Sequence, residues 1–185
     1  MGRDKALLEL GSLKLIERAR MQLCGAGLEV WIAGARNPEL ASFAPVVADA
    51  WDNAGPLGGV CSALRFTNRD WAAFVTIDQP LMAPALLTGL LEHARTSERP
   101  VTVASVRGVP QTFPAVVRRT ALEVLERELA EGRLGCMKAF CTAGRNVVAA
   151  EDLAIPEARH LVDGWFSNVN TPEDLEQVKA CLKLG

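Results

Sequence analysis

Residues 71–80 read Trp-Ala-Ala-Phe-Val-Thr-Ile-Asp-Gln-Pro. From Trp71 to Ile77 the run is almost continuously apolar, as a β-strand covered on both faces should be. Asp78 follows at once, so a carboxylate stands at the strand's mouth, and Pro80 turns the chain away. In α/β sheets, ligands bind beyond the carboxyl ends of the strands. A hard oxygen donor held there suits Mg²⁺, which binds through one or two carboxylates plus substrate phosphates. A turn aspartate, or the cap of a following helix, would read the same way from position alone.

On the amino-terminal side, Ser12 can cap a helix whose apolar residues Leu13, Ile16, Ala19 and Leu23 recur at helical spacing, with Gly25 and Gly27 as its stop. Leu28–Ala33 and Pro45–Ala48 are short β-type runs, and a helical pattern covers 57–67. On the carboxyl side a helix is expected over 83–95, then β-type runs near 100–105 and 112–118. A helix over Thr120–Glu131, a helical piece at 135–142, a β-type run Asn146–Ala149 and a helix after Pro172 complete the series. Strands alternating with helices predict one α/β domain over residues 1–185, with a mainly parallel sheet and helices on both faces. The loops after the apolar strands, Ala33–Asn37, Asp49–Gly59 and Asp78–Met82, are where chemistry should be sought.

The totals narrow the function. The 185 residues are 49% hydrophobic, enough for a packed core rather than disorder. Twenty basic against 22 acidic residues leave no basic field for nucleic acid. Five cysteines at 24, 61, 136, 141 and 181 show no CxxC or zinc spacing and read as reduced thiols. No apolar run approaches membrane-spanning length, and charges at Arg3, Asp4, Lys5 and Glu9 occupy the place of a signal peptide's apolar segment. A cytoplasmic protein is expected.

Gly55-Pro-Leu-Gly-Gly59 opens the 57–67 helix, where glycines let backbone approach a ligand and a helix N-terminus favours anions. A tight turn with close helix packing would look alike, and Asp49 upstream is equally ambiguous alone. In Phe166-Ser-Asn-Val-Asn-Thr-Pro-Glu-Asp-Leu175, Thr171 and Asp174 form a capping box around Pro172. Asn168 and Asn170 fall outside that explanation; alternating on an extended segment, they can present two amides to one ligand. His93 and His160 stand apart from any nucleophile or metal spacing and read as structural. The four tryptophans read as core or rim aromatics, with Trp51 placed in a loop where stacking on a ring is open to it.

Met-Gly-Arg-Asp-Lys-Ala-Leu-Leu (1–8), Asp49 followed by Gly55–Gly59, Thr76-Ile-Asp-Gln-Pro80 and the 166–175 segment occur in an order and spacing that resemble the molybdenum cofactor guanylyltransferases. The resemblance implies a Rossmann-like three-layer α/β/α nucleotidyltransferase domain. It implies Mg²⁺-dependent transfer of GMP from GTP to the molybdopterin-bound molybdenum cofactor, with release of pyrophosphate. By motif match, Lys5 and Asp78 are the catalytic pair, Lys5 on triphosphate oxygens and Asp78 on Mg²⁺. Gly2, Asp49 and Gly55 fall with them in the GTP site, and Asn168 and Asn170 face molybdopterin. Protein partners would be molybdoenzymes or cofactor-delivery proteins. Because the attacking group is already a phosphate anion, such a site works by positioning and charge neutralisation and needs no Ser/His or Cys/His pair.

Two rivals stand beside this reading. Asp78-Gln-Pro-Leu81 also resembles the molybdenum cofactor cytidylyltransferases, and an inactive relative would keep only the pterin-side surface as a binding module. Two departures matter as well. The family often has an asparagine before the arginine of the loop after its second strand, where this chain has Ala35 before Arg36; Asn37 is the candidate substitute. The family also begins with a strand and a loop of the form LAGGxSxRMG, and this chain starts at that motif's final methionine. The expectation is a sheet lacking its first strand, with unpaired backbone on that strand's neighbours and either poor folding or weak GTP binding.

Overall fold

The computed structural model describes residues 4–183. Asp4 opens it by capping a 3₁₀ turn, Lys5–Leu7, its carboxylate accepting the Ala6 N–H at 3.0 Å. A small hairpin follows, β1 (Glu9–Leu10) and β2 (Leu13–Lys14), closed at Gly11-Ser12 where Gly11 takes a φ of 67°. The hairpin corrects the expectation that Ser12 caps a helix. The helix, α1 (Leu15–Gly25), starts three residues after Ser12, with Glu17 accepting the Lys14 N–H at 2.8 Å. Leu10 and Leu15 are fully buried on either side of the turn, so burial sets the boundary.

Next come β3 (Ile32–Ala33), β4 (Val46–Val47), α2 (Gly55–Phe66), β5 (Trp71–Phe74) and α3 (Pro84–Thr96). The carboxyl half contains β6 (Val101–Val106), β7 (Val109–Arg118), α4 (Leu122–Ala130), α5 (Cys136–Ala143) and β8 (Arg145–Ala149). It ends with α6 (Ala150–Leu153), α7 (Val162–Trp165) and α8 (Pro172–Lys183). The short helices between 150 and 165 carried no periodic signal, because four residues cannot display a helical period.

Alternate residues of the sheet face opposite helical layers, as the strand period of two requires. Val101, Val103, Ala115 and Val117 pack on α2, α4 and α5 through Leu57, Leu64, Leu125 and Phe140. Ala104 and Val116 pack the other way, on Leu86, Leu87 and Leu90 of α3. This is the expected three-layer α/β/α arrangement. The sheet, however, is mixed rather than mainly parallel. Its four-stranded part runs β5-β7-β6-β8, with β6 and β8 parallel but β7 antiparallel to both neighbours. The cause is local: Val106 pairs with Val109 across a two-residue turn, Arg107-Gly108, whose φ values of 49° and 77° suit a tight hairpin. Such a connection forces antiparallel neighbours.

β3 and β4 pair in parallel as a separate ribbon, Ile32 with Val46 and Ala33 with Val47. Strand β5 ends at Phe74 instead of Ile77, and every residue from Trp71 to Ile77 is only partly buried. Val101, Val103 and Ala104 of β6 have no exposure at all.

Candidate active site

Three segments far apart in the chain meet just past the Trp71–Ile77 run, and apolar contacts bring them there. Ile77 packs in one cluster with Ala6, Ile16 and Leu40, and in another with Leu10, Leu15, Val169 and Val178. Ala6 fixes Lys5, and buried Val169 fixes its exposed neighbours Asn168 and Asn170. The Lys5 ammonium donates to Asn170 Oδ1 at 2.9 Å and lies 3.6 Å from Asp78 Oδ2. The sequence-expected residues Lys5, Asp78 and Asn170 therefore form one group, half-open to solvent. Asn168 shares the exposed face of the same segment without a hydrogen bond to the group.

Asp78 is neither cap nor core. The helix it was a candidate to cap, α3, begins at Pro84 with Ala83 before it. The Asp78 carbonyl accepts the Val169 N–H at 2.8 Å, and the next carbonyl, of Gln79, accepts from buried Gln22 Nε2 at 2.9 Å. The backbone around the carboxylate is thus gripped from α1 on one side and from the 166–171 segment on the other. Gln22 is buried within α1, where its sequence position gave no sign that it braces a loop. Among the described residues no group of three His, Cys, Asp or Glu side chains could hold a metal. Asp78 offers a single carboxylate, a number that suits a cation taking its other ligands from phosphates and water.

The capping box forms as read. Thr171 Oγ1 accepts the Asp174 N–H at 3.1 Å, and Asp174 Oδ2 accepts the N–H groups of Asn170 and Thr171, both at 2.8 Å. Those two backbone donors, with a further pull from Lys5, hold the Asp174 carboxyl below the ordinary aspartate value. The cap therefore also orients Asn170 towards Lys5.

Asp49 and Gly55 stand elsewhere on the same end of the molecule. Both line a cavity of 1520 Å³ whose rim also includes Gly34, Arg36 and Asn53. Asn53 and Gly55 have φ values of 55° and 59°, so the chain reaches α2 through a tight left-handed bend. Gly58 must lack a side chain, because a Cβ there would lie 2.6 Å from Ala54 Cβ. Ser62 ties the loop down, donating to the Gly58 carbonyl at 2.8 Å and accepting the Ala50 N–H at 2.9 Å. Asp4 and Ile77 line the cavity beside the Lys5–Asp78 group, and this links the two halves of the candidate site. Gly2 lies outside the described residues.

Two sequence alternatives take definite form. Asn37 Oδ1 accepts the Glu39 N–H at 3.0 Å and caps the 3₁₀ turn Pro38–Ser42. Trp51 lies under the Arg65 guanidinium, 4.4 Å from its ring centroid. All five cysteines are free; burial pushes the Cys61 thiol up to about 12 and Cys136 to about 11, far from a reactive thiolate. Among the described residues no helix is long and apolar enough to cross a membrane.

A mixed sheet between two helical layers thus carries a lysine and an aspartate beside one strand's carboxyl end. Solved structures agree on the fold. The molybdopterin-guanine dinucleotide biosynthesis protein A of Archaeoglobus fulgidus superposes with a TM-score of 0.82 at 20% identity, covering 100% of this chain and 93% of that one. The 2-C-methyl-D-erythritol 4-phosphate cytidylyltransferase of Thermus thermophilus reaches 0.68 at 17% identity, covering 97% and 94%. The chain belongs to the family of MobA-like NTP transferase domains, whose profile matches residues 1–148. It is 33% identical over 191 residues to the probable molybdenum cofactor guanylyltransferase of Chloroflexus aggregans, covering 98% of this chain and 88% of that protein. To the molybdenum cofactor guanylyltransferase of Rhizobium meliloti it is 32% identical over 192 residues, covering 98% and 86%.

Proposed function

We propose that this nucleotidyltransferase is a molybdenum cofactor guanylyltransferase, joining GMP from GTP to the terminal phosphate of the molybdenum-molybdopterin cofactor. A phosphate oxygen of the cofactor attacks the α-phosphorus of GTP, the bond to the β-phosphate breaks, and pyrophosphate leaves. The observation that carries this reading is the meeting of Lys5, Asp78 and Asn170 from three distant segments. Relatives named for the guanylyl reaction support it.

In this reading Lys5 gathers triphosphate oxygens, exchanging Asn170 for a charge-assisted partner. Asp78 would hold Mg²⁺, which when bound neutralises phosphate charge at the reacting phosphorus. The gripped backbone at Asp78 and Gln79 keeps that carboxylate in place without reorganisation during reaction. Asp49, Gly55 and the amino end of α2 line the nucleotide side, while Asn168 and Asn170, freed from Lys5, serve the pterin side. Asn37 is committed to its cap, so it does not stand in for the missing base-loop asparagine. That observation favours keeping the cytidylyl reaction as a second reading.

Pyrophosphate release with Mg²⁺, molybdenum-molybdopterin and either GTP or CTP is the direct test. Turnover with GTP in preference to CTP is expected; preference for CTP selects the second reading. Release from neither nucleotide, with the protein shown to be folded, removes both.

A further inference from the structure

The end of the sheet opposite the candidate active site is lined with arginines. Strands β5, β6 and β8 begin there and β7 finishes there, which sets Trp71 beside Arg118 and Val101 beside both Val117 and Arg145. Two backbone hydrogen bonds close the row. Arg118 donates its N–H to the Pro100 carbonyl at 2.7 Å, and Arg119 donates its N–H to the Asp70 carbonyl at 2.8 Å. Arg69 and Arg99 come immediately before those two acceptors in the chain. Arg99 also reaches the turn between α5 and β8, since a Cβ on Gly144 would lie 3.6 Å from its Nη1. Topology therefore gathers Arg69, Arg99, Arg118, Arg119 and Arg145 along an edge four strands wide, roughly 14 Å.

Within the described residues this row stays uncompensated: none of the five arginines takes part in an ion pair. Arg69, Arg99, Arg118 and Arg119 are exposed. Arg118 lies over the Trp71 ring at 5.5 Å and Arg145 donates to Met137 Sδ, and neither contact removes charge. The same segments carry two carboxylates, Asp70 and Glu98, so five cations against two anions leave +3 at this end. The whole chain has a formal net charge of −2, which puts −5 on the remainder. Holding like charges together is unfavourable, and a partner of opposite sign offsets it. We infer that this end of the sheet docks a short acidic segment of a partner protein, with its carboxylates seated along the arginine row. Each guanidinium is a planar fork that takes a carboxylate through two parallel hydrogen bonds. Strand spacing strings the arginines out, so they match carboxylates carried along a chain better than one small anion. In an extended segment, same-side residues recur about every 6.6 Å, and about five residues cover the row. A nucleic acid would run past the row onto a surface whose net charge repels it. Roughly 20 Å of the Trp71–Ile77 run separates this end from Asp78, so a docked segment leaves the Lys5–Asp78 group open. The inference does not use the nucleotide reading, and absence of GTP turnover leaves it untouched.

The full chain is titrated by fluorescence polarisation against a labelled peptide of about ten residues, alternating glutamate and serine, at about 50 mM and about 200 mM salt. A combined Arg69→Gln, Arg99→Gln and Arg119→Gln variant removes three exposed members of the row. An Arg127→Gln, Arg159→Gln and Lys179→Gln variant removes the same charge elsewhere. Saturable binding is expected, weakening with salt, at least about tenfold weaker for the row variant and within about twofold for the control. Should the triple variant fail to melt cooperatively, Arg119→Gln alone is expected to weaken binding at least about threefold. No saturable binding at the lower salt would overturn the inference, as would equal weakening in both triple variants. Tighter binding of a single-stranded DNA of about 12 nucleotides, lost in the row variant, would assign this end to nucleic acid and overturn it as well. A dimer of the chain that the row variant abolishes and the peptide does not dissociate would assign it to a second copy instead.

Discussion

Two apolar runs of this chain look alike in sequence and differ in the fold. Val101–Ser105 and Trp71–Ile77 both read as β-type runs. The first has sheet neighbours on both edges, β7 and β8, and its side chains are shut off from solvent. The second has β7 on one edge and lines the large cavity as well, and each of its residues retains exposure. Hydrophobic composition thus states what a strand can tolerate on its faces. Whether both edges find partners is a separate matter, decided by topology.

The largest contrast should appear in hydrogen exchange. The Thr102 and Val103 amides in the core of β6 should exchange only through global opening, while those of Trp71, Ala73 and Val75 exchange at least about 1,000-fold faster. Comparable protection would mean that the β5 edge is paired in solution. Next in size is the chemistry at the exposed strand's end. Asp78→Asn should cut turnover at least about 100-fold with the melting temperature nearly unchanged, because the ion pair it loses, with Lys5, is partly exposed. Retained turnover removes the carboxylate from the metal role. Lys5→Ala should weaken GTP binding by about 1.5–3 kcal/mol in calorimetry, through loss of a charge-assisted contact; unchanged affinity would take Lys5 out of the triphosphate site.

Stability offers a smaller but direct comparison. Val103→Ala removes fully buried methyl groups and should cost about 2–3 kcal/mol in denaturant unfolding, whereas Val75→Ala should cost under about 1 kcal/mol. Equal losses would show the two strands to be equivalent after all. The smallest effect concerns the cap beside Asn170. Asp174 has its folded pKa depressed, so its contribution is complete above the unfolded aspartate value of about 3.9 and is lost as pH falls through the lower folded value. Asp174→Asn should flatten that portion of an acid unfolding curve, and an unaltered curve would show that the cap contributes nothing there.

Much of this was readable in advance, and the misses have physical causes. The layer order followed from alternating periods, and the Thr171 cap from four consecutive residues. The antiparallel turn at Arg107-Gly108 was open to reading, since no helix separates the two β-type runs. Ser12 misled because a good cap residue also makes a good turn residue, and burial of Leu10 and Leu15 chose the turn. At the site, Lys5, Asp78 and Asn170 were each found through local motifs and the family resemblance. Their contact was not legible, because 165 positions separate Lys5 from Asn170 and only packing on Ile77 and Val169 joins them. Gln22 and Ser62 were missed for a related reason. A polar residue that braces a loop from within a helix leaves no spacing signature.

Ile77 belongs to two apolar clusters at once. It therefore works like the pin of a joint through which both the lysine-bearing and the asparagine-bearing segments are mounted on one strand. Shortening that side chain would let both mounts drift together, so the separation of Lys5 from Asn170 and the aim of Asp78 would change as one correlated displacement. An alteration with no polar atom in it would then register as a fault in alignment.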